Sequence, residues 1–193
     1  MLLRQGEPPT HVIALVAGRV KVSRTSPDGN ILLLAIRGPG EILGDMAVLG
    51  GDGRSATVIA VDHCETRIIL AARFLSLVRS LGLENELLRQ AMTRMRESDE
   101  WRAELAALPA GRRVVRTLLR LAVPRAAMPI DVALDQTEIG QAAGLSRSTV
   151  AAELSRLREQ GVIATVRRRI LITDLPRLQA LAGPDPPTSD FRQ

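Results

Sequence analysis

The sequence predicts an α+β chain: an antiparallel β half, then a long helix, then a basic helical half ending in a small hairpin. Three observations predict it. Short aliphatic runs broken by turn residues fill the first 70 positions. Proline and glycine are absent from Leu83 to Leu108. The surplus of positive charge lies wholly beyond that stretch. Residues 1–108 carry 13 basic and 13 acidic side chains, whereas residues 109–193 carry 13 and 8, which accounts for the net charge of +5.

In the β half, Val12–Val16, Val20–Ser23, Ile31–Ile36 and Thr57–Val61 read as strands. Gly18, Pro27-Asp28-Gly29, Gly38-Pro39-Gly40 and Gly50–Gly53 punctuate them, the pattern of a sandwich or barrel. Ala71–Leu81 then reads as a short helix. From Leu83 to Leu108, Leu88, Met92, Met95, Trp101, Leu105 and Leu108 recur near helical spacing, with breaks at Ser98, Asp99 and Arg102. A helix of that length spans about 39 Å, too long to be covered by so small a domain. An incomplete apolar stripe on a long helix points to a partner helix, hence a homodimer; burial against the chain's own β half is the alternative.

Pro109-Ala110-Gly111 reads as a hinge, and helix resumes over Arg112–Val123. Gln136–Ala143 and Ser146–Gln160 read as two helices parted by Gly144-Leu145. Val162–Val166 and Ile170–Thr173 read as a hairpin around Arg167-Arg168-Arg169, and Gly183–Gln193 as a disordered tail. The domains expected are a β half over 1–82, a dimerisation helix over 83–108, a DNA-binding domain over 109–178 and a tail over 179–193.

Composition narrows the function classes. Aromatic residues are 2% of the chain, too few for base-stacking platforms on single strands or RNA. Cys64 is the single cysteine, so an intrachain disulfide or a four-cysteine metal site is excluded. A reducing cytoplasm is the expected compartment. No apolar run approaches the roughly 18 residues of a membrane span, and no signal-peptide pattern follows Met1, so no membrane partner is expected. His63 and Cys64 are neighbours on a strand and face opposite ways, so they cannot share a metal. Cys64 is expected to pack inside and His63 and His11 to lie at the surface. No nucleophile–base pair or phosphate-binding Walker loop is present, and an enzyme is not expected.

The strongest chemistry lies in 137–150. Two helices crossing steeply need a small residue at their contact, supplied by Gly140, and a residue tolerant of positive φ in the turn, supplied by Gly144. Ile139, Leu145 and Val150 would form the shared core. Ser146 suits the N-cap of the second helix. Arg147, Ser148 and Ala152, just inside that N-terminus, would meet base edges in the major groove, and the guanidinium fork of Arg147 suits guanine. Arg156, Arg158 and the hairpin-tip arginines suit phosphates. Glu153 occupies a position that usually holds an aliphatic residue, so Leu154 and Leu157 must carry the packing. The candidate DNA-binding residues are Thr137, Ser146, Arg147, Ser148, Thr149, Ala152, Arg156, Arg167, Arg168 and Arg169. With the hairpin wing, the basic bias and Gly144, this constellation reads as a winged helix-turn-helix rather than a buried helical hairpin of an ordinary α domain, and double-stranded DNA is the expected partner.

The stretch 138–150 (Glu-Ile-Gly-Gln-Ala-Ala-Gly-Leu-Ser-Arg-Ser-Thr-Val) and Leu157–Ile163 resemble the C-terminal domain of the CRP/FNR transcription regulators. The family's best-known reader carries an Arg-Glu…Arg set. Arg147, Ser148 and Ala152 match it, so only the first arginine is kept and that half-site does not carry over. A second stretch, Gly40–Ala47 with Arg54-Ser55-Ala56, has by itself the makings of an anion nest, or of a plain turn with a surface arginine. It is similar to the phosphate-binding cassette of cyclic-nucleotide-binding β-rolls.

The resemblance implies that Arg54 and Ser55 hold a cyclic phosphate and that Gly44 permits close backbone approach. It puts Asp45 in place of a glutamate on the ribose 2′-hydroxyl. Ser98 and Asp99 match a Thr-Ser pair that contacts the base. The candidate effector residues are Gly44, Asp45, Met46, Arg54, Ser55, Ser98 and Asp99. No obligatory cofactor is implied; a cyclic nucleotide, cAMP or cGMP, is the candidate effector, and RNA polymerase a candidate partner. The resemblance covers nearly all of 1–178 but enters the roll partway, at Leu2–Glu7, so the family's leading helix and first strand are expected to be missing or to lie upstream. The implied function is a homodimeric, sequence-specific transcription regulator under effector control. The alternatives are an effector-independent regulator with a degenerate pocket and a cyclic-nucleotide-binding regulatory subunit.

Overall fold

The computed structural model describes residues 1–122, 129–132, 134–166 and 169–184. The chain forms two compact units, Met1–Arg96 and Glu97–Gln193.

The first unit is an antiparallel roll of two three-stranded sheets. Its strands are β1 (His11–Ala17), β2 (Val20–Thr25), β3 (Ile31–Arg37), β4 (Ile42–Leu43), β5 (Thr57–Ala60) and β6 (Glu65–Leu70), with α1 (Asp45–Gly50) between β4 and β5 and α2 (Ala71–Leu81) after β6. The sheet orders are β4-β1-β6 and β3-β2-β5. Alternation along β1 builds two cores. Ile13 and Leu15 point inward with Leu3, Val20, Leu43 and Val58. Val12 points the other way, under Val48, Phe74 and Val78 of the helices. The segment Leu2–Glu7 runs beside the stretch leading into β5: Leu2 N–H donates to the Val58 carbonyl at 2.8 Å and Arg54 N–H to that of Glu7 at 2.9 Å.

Besides the two-residue strand β4, two elements of this unit were not expected from the sequence. Strand β6 pairs with β1 from His11↔Leu70 to Ala17↔Glu65, with a bulge between Leu15 and Ala17. Its outer side chains conceal its character, for Ile68 and Leu70 are each 67% exposed, and Glu65 and Arg67 carry charge. The glycine-rich stretch read as a turn contains the six-residue helix α1, bounded by left-handed glycines at Gly44 (φ 80°) and Gly51 (φ 77°).

The turn from β1 to β2 holds a buried ion pair. The buried Arg19 guanidinium meets Asp62 through two bonds, Nε–Oδ2 at 2.6 Å and Nη2–Oδ1 at 3.0 Å. Beside it Cys64 packs against the inner core, as expected, and donates its S–H to the Arg19 and Asp62 carbonyls, while His63 is exposed. Burial, with help from the Asp62 charge, pushes the Cys64 thiol above its ordinary pKa.

Helix α3 (Glu84–Ala107) begins in the first unit and ends in the second. Then follow α4 (Ala110–Leu121), β7 (Ile130–Asp131), α5 (Gln136–Ala143), α6 (Arg147–Glu159), β8 (Ile163–Val166), β9 (Arg169–Ile172) and α7 (Leu175–Ala182). The expected hairpin gains a third strand, order β7-β9-β8; two residues beside a proline gave no period to detect. Helix α7 also runs past 178, the expected end of the domain. Asp174 caps it, accepting from Arg177 N–H at 3.0 Å, and Leu178 and Ala182 are buried.

Helix α4 is the hub of the second unit. Val114, Val115, Leu118 and Leu121 are buried on its inner face, with spacing that puts them on one stripe. Helix α4 packs against α5, α6 and α7, whose Ile139, Val150, Leu154, Leu157 and Leu178 are likewise buried. Leu154 and Leu157 therefore do carry the packing that Glu153 cannot.

Candidate functional site

The recognition elements are built around two helix starts. Asp135 caps α5 with a reciprocal capping box: its carboxylate accepts from Thr137 N–H at 2.8 Å and Glu138 N–H at 2.9 Å, while Glu138 accepts from Asp135 N–H at 3.1 Å. Gly144 then adopts φ 60°, ψ 42° as the C-cap of α5. A Cβ at Gly140 would stand 3.0 Å from the Leu145 carbonyl and 3.6 Å from a Val150 methyl. Both glycine roles follow from that geometry: one lets the helices touch, the other turns the chain. A methyl group at Gly144 would meet only Leu105 at 3.5 Å and an Arg113 nitrogen at 3.7 Å. The penalty of Gly144→Ala is then conformational, about 1–2 kcal/mol. It should appear as a lower denaturant midpoint followed by Trp101 fluorescence, and an unchanged midpoint would contradict this account of the turn.

Ser146 caps α6. Its Oγ accepts from Thr149 N–H at 3.2 Å and lies 2.9 Å from Ser148 Oγ and 2.8 Å from Thr149 Oγ1. The free N–H groups of the first turn lie beside this hydroxyl cluster, with the positive end of the helix dipole behind them. Arg147, Ser148 and Ala152 are exposed, and Arg147 has no hydrogen bond or ion pair among the described residues. Arg147 lines a cavity of about 330 Å³ with Asp135, Thr137, Thr165 and Ile170. The start of α5, the start of α6 and the hairpin thus meet at one concavity, in which Thr137 and Arg147 stand together.

Other expected contacts are engaged within the chain. Arg156 pairs with Glu153 at 3.0 Å, and both crowd Gly111 of α4. Arg158 donates to Ser155 Oγ at 3.2 Å. Arg169 at the hairpin pairs with Asp131 at 2.7 Å. Arg167 and Arg168 lie outside the described residues.

In the first unit the cassette closes around a buried arginine. Arg54 is 4% exposed and donates from Nη1 to the Gly44 carbonyl at 2.9 Å and from Nη2 to the His11 carbonyl. A Cβ on Gly44 would lie 2.2 Å from Arg54 Nη1, so only glycine admits the guanidinium. Burial lowers the Arg54 pKa, and the Glu7 charge works against that shift. Asp45, 5% exposed, accepts from Arg94 Nη1 at 3.1 Å on each oxygen. Arg94 also donates to the Ile42 carbonyl at 3.1 Å and reaches Glu41 at 3.4 Å. Ser55 and Met46 are exposed. Ser98 and Asp99 belong to the second unit, where Asp99 pairs with Arg102 at 3.0 Å.

Arg94 was missed from the sequence. The available signal was its place one helical turn before Ser98. Among the described residues no group of three His, Cys, Asp or Glu side chains is placed to hold a metal ion, and no helix is long and apolar enough to cross a membrane.

Together, a winged helix-turn-helix and a roll with a buried arginine cassette define a class, that of one-chain DNA-binding regulators with a built-in sensor domain. Comparison with known proteins agrees. Residues 1–80 match the cyclic nucleotide-binding domain and residues 112–181 the Crp-like helix-turn-helix domain. The chain is 30% identical over 179 residues to the cyclic AMP receptor protein of Thermus thermophilus, covering 92% of this chain and 82% of that one. It is 29% identical over 184 residues to the CRP-like cAMP-activated global transcriptional regulator of Mycobacterium tuberculosis, covering 90% and 80% respectively. A crystal structure of a CRP-family transcriptional regulator from Thermus thermophilus superimposes with a TM-score of 0.73 at 26% identity, covering 95% of this chain and 93% of that one. The chain belongs to the CRP/FNR family of transcription regulators. It is a DNA-binding transcription regulator with a cyclic nucleotide-binding domain.

Proposed function

We propose that the chain acts as a homodimer that binds a pseudo-palindromic DNA site through α6 and is switched by a cyclic nucleotide, cAMP in the first instance, bound in the roll. The cassette carries this reading: Gly44 is the close-approach residue, with Arg54 and Asp45 buried behind it. Arg94 takes up two of the roughly four acceptor positions of the Asp45 carboxylate, which leaves capacity for a ribose hydroxyl. The dimer is supported by the first half of the α3 stripe, where Leu88 is 58%, Met92 44% and Met95 62% exposed. A two-fold dimer would space two α6 helices about one DNA turn apart. The protein acts in the cytoplasm by binding and not by catalysis, with RNA polymerase as its further partner. Arg147, Ser148, Thr149 and Thr137 are its DNA-facing residues, and Ser98 and Asp99 its base-facing ones.

Calorimetric titration with cAMP and with cGMP tests the sensor half. Heat of binding for either is expected in the wild type and a loss of at least tenfold in affinity in Arg54→Leu. Silence at millimolar concentrations of both would overturn the sensor reading in favour of a regulator without an effector. DNA affinity is expected to fall steeply with salt, since phosphate contacts release counterions; a flat salt response would count against the interface described above.

A further inference from the structure

The second half of the α3 stripe does something different from the first. Trp101, Leu105 and Leu108 are half-buried within the second unit, and Glu104 is its one buried carboxylate among the described residues, 5% exposed. Glu104 accepts from Arg116 Nη1 at 3.2 Å and from Arg120 Nη2 at 2.9 Å. The Arg120 guanidinium also lies over the Trp101 ring, 4.8 Å from its centroid. Trp101 Nε1 donates to the Ala142 carbonyl at 3.1 Å, in the last turn of α5. Arg113 spans from the Leu105 carbonyl at 3.3 Å to that of Gly144 at 3.5 Å, two residues before the cap of α6. Arg116 in turn donates to the Gly183 and Pro184 carbonyls at 3.1 and 3.0 Å.

A buried ion cluster is a poor means of gaining stability, because desolvation offsets most of the attraction and apolar side chains would pack there as well. What it supplies is direction. Two guanidinium groups on one carboxylate, each donating from one nitrogen and one of them stacked on an indole, favour a single rotation of α3 about its axis against α4. Apolar contacts would admit several.

We propose that Trp101, Glu104 and Arg120 form a lock that makes the last turns of α3 a fixed part of the DNA-binding unit, with Glu104 as a positioning residue for α6. The hinge expected at Pro109–Gly111 is reduced to Leu108-Pro109, because Ala110 and Gly111 already belong to α4; it is then braced rather than free, and residues 97–107 move with the helix-turn-helix as one body. The proposal rests on α6 being the DNA reader.

Hydrogen exchange and DNA binding on the full chain test it together, using a duplex selected from random sequence by the wild type. In Glu104→Gln, amides of 97–107 should exchange at least tenfold faster while α4–α6 keep their protection. Affinity for the duplex should fall at least tenfold, and Glu104→Asp should restore part of both. Trp101→Phe, which keeps a ring under Arg120 but loses the bond to Ala142, is the milder variant should Glu104→Gln not fold, and should move both readouts the same way. Equal loss of protection through α4–α6 would overturn the proposal, because Glu104 would then simply hold the fold. So would faster exchange of 97–107 with unchanged affinity, or no change in either. Arg147→Ala separates this from the reader itself: it should lose affinity with exchange untouched, and if affinity survives there, it is the reader assignment that fails.

Discussion

Asp62→Ala is expected to destabilise the roll by about 3–5 kcal/mol, the usual result of stripping one partner from a buried ion pair. Arg19 is 3% exposed and its fork fits the Asp62 carboxylate in two places. Without Asp62, a cation stays behind where water cannot readily reach it. The damage should also be local in sequence, because the Arg19 carbonyl accepts from Val61 N–H at 2.9 Å and thereby ties the β1–β2 turn to the loop before β6. Far-UV circular dichroism should show the roll melting at lower denaturant, while Trp101, in the second unit, reports a transition close to that of the wild type. Asp62→Asn, which keeps acceptor and shape but not charge, should fall between the two. A wild-type midpoint in Asp62→Ala would show that the pair is not what closes this end of the roll.

Arg147→Ala should weaken binding to the preferred DNA site by about 1–3 kcal/mol, or roughly five- to 150-fold, and relax selectivity at one base pair. Its side chain is exposed, has no partner among the described residues, and lines the concavity shared by α5, α6 and the hairpin. Its neighbours Ser148 and Ala152 offer one short hydroxyl and a methyl group, so Arg147 is the single long donor at the start of the helix. A selection from random DNA with both proteins decides the matter. If the variant returned the wild-type site with full information at every base, the placement of α6 would be wrong. Removing the Asp135 cap offers a contrast: Asp135→Ala should cost about 1 kcal/mol of stability, read as a lower thermal midpoint, with base preference retained.

The DNA-binding half was legible because its constraints are local. Gly140, Gly144 and Ser146 each answer to a backbone need within a few residues, and the structure uses each as the sequence suggested. The cassette was not legible in that way: its residues alone left a turn with a surface arginine open, and the resemblance set Gly44 and Arg54 against a phosphate, whereas the missing Cβ of Gly44 makes room for the buried guanidinium of Arg54 itself. What escaped were contacts set by the tertiary fold. Arg94 and Asp45 lie 49 residues apart, and no period links them. The stripe on α3 misled in a more instructive way. Leu88 to Met95 and Trp101 to Leu108 share one spacing, yet the former are exposed and the latter lie against α4 and α5. Hydrophobic period identifies a face, not the neighbour that covers it. Glu104, one turn from Leu108 in the same stripe, would be read as a solvated charge by any scale.

The packing around Cys64 has a practical consequence. A Cβ on Gly18 would lie 2.8 Å from its sulfur, the S–H is spent on two backbone carbonyls, and its acidity is suppressed. Thiolate is the reactive form, so at neutral pH this thiol should be slow toward maleimides and iodoacetamides. A cysteine placed at Met95 or Ser148 can therefore carry a spin label or a dye in the native background, with the lone natural thiol left in place.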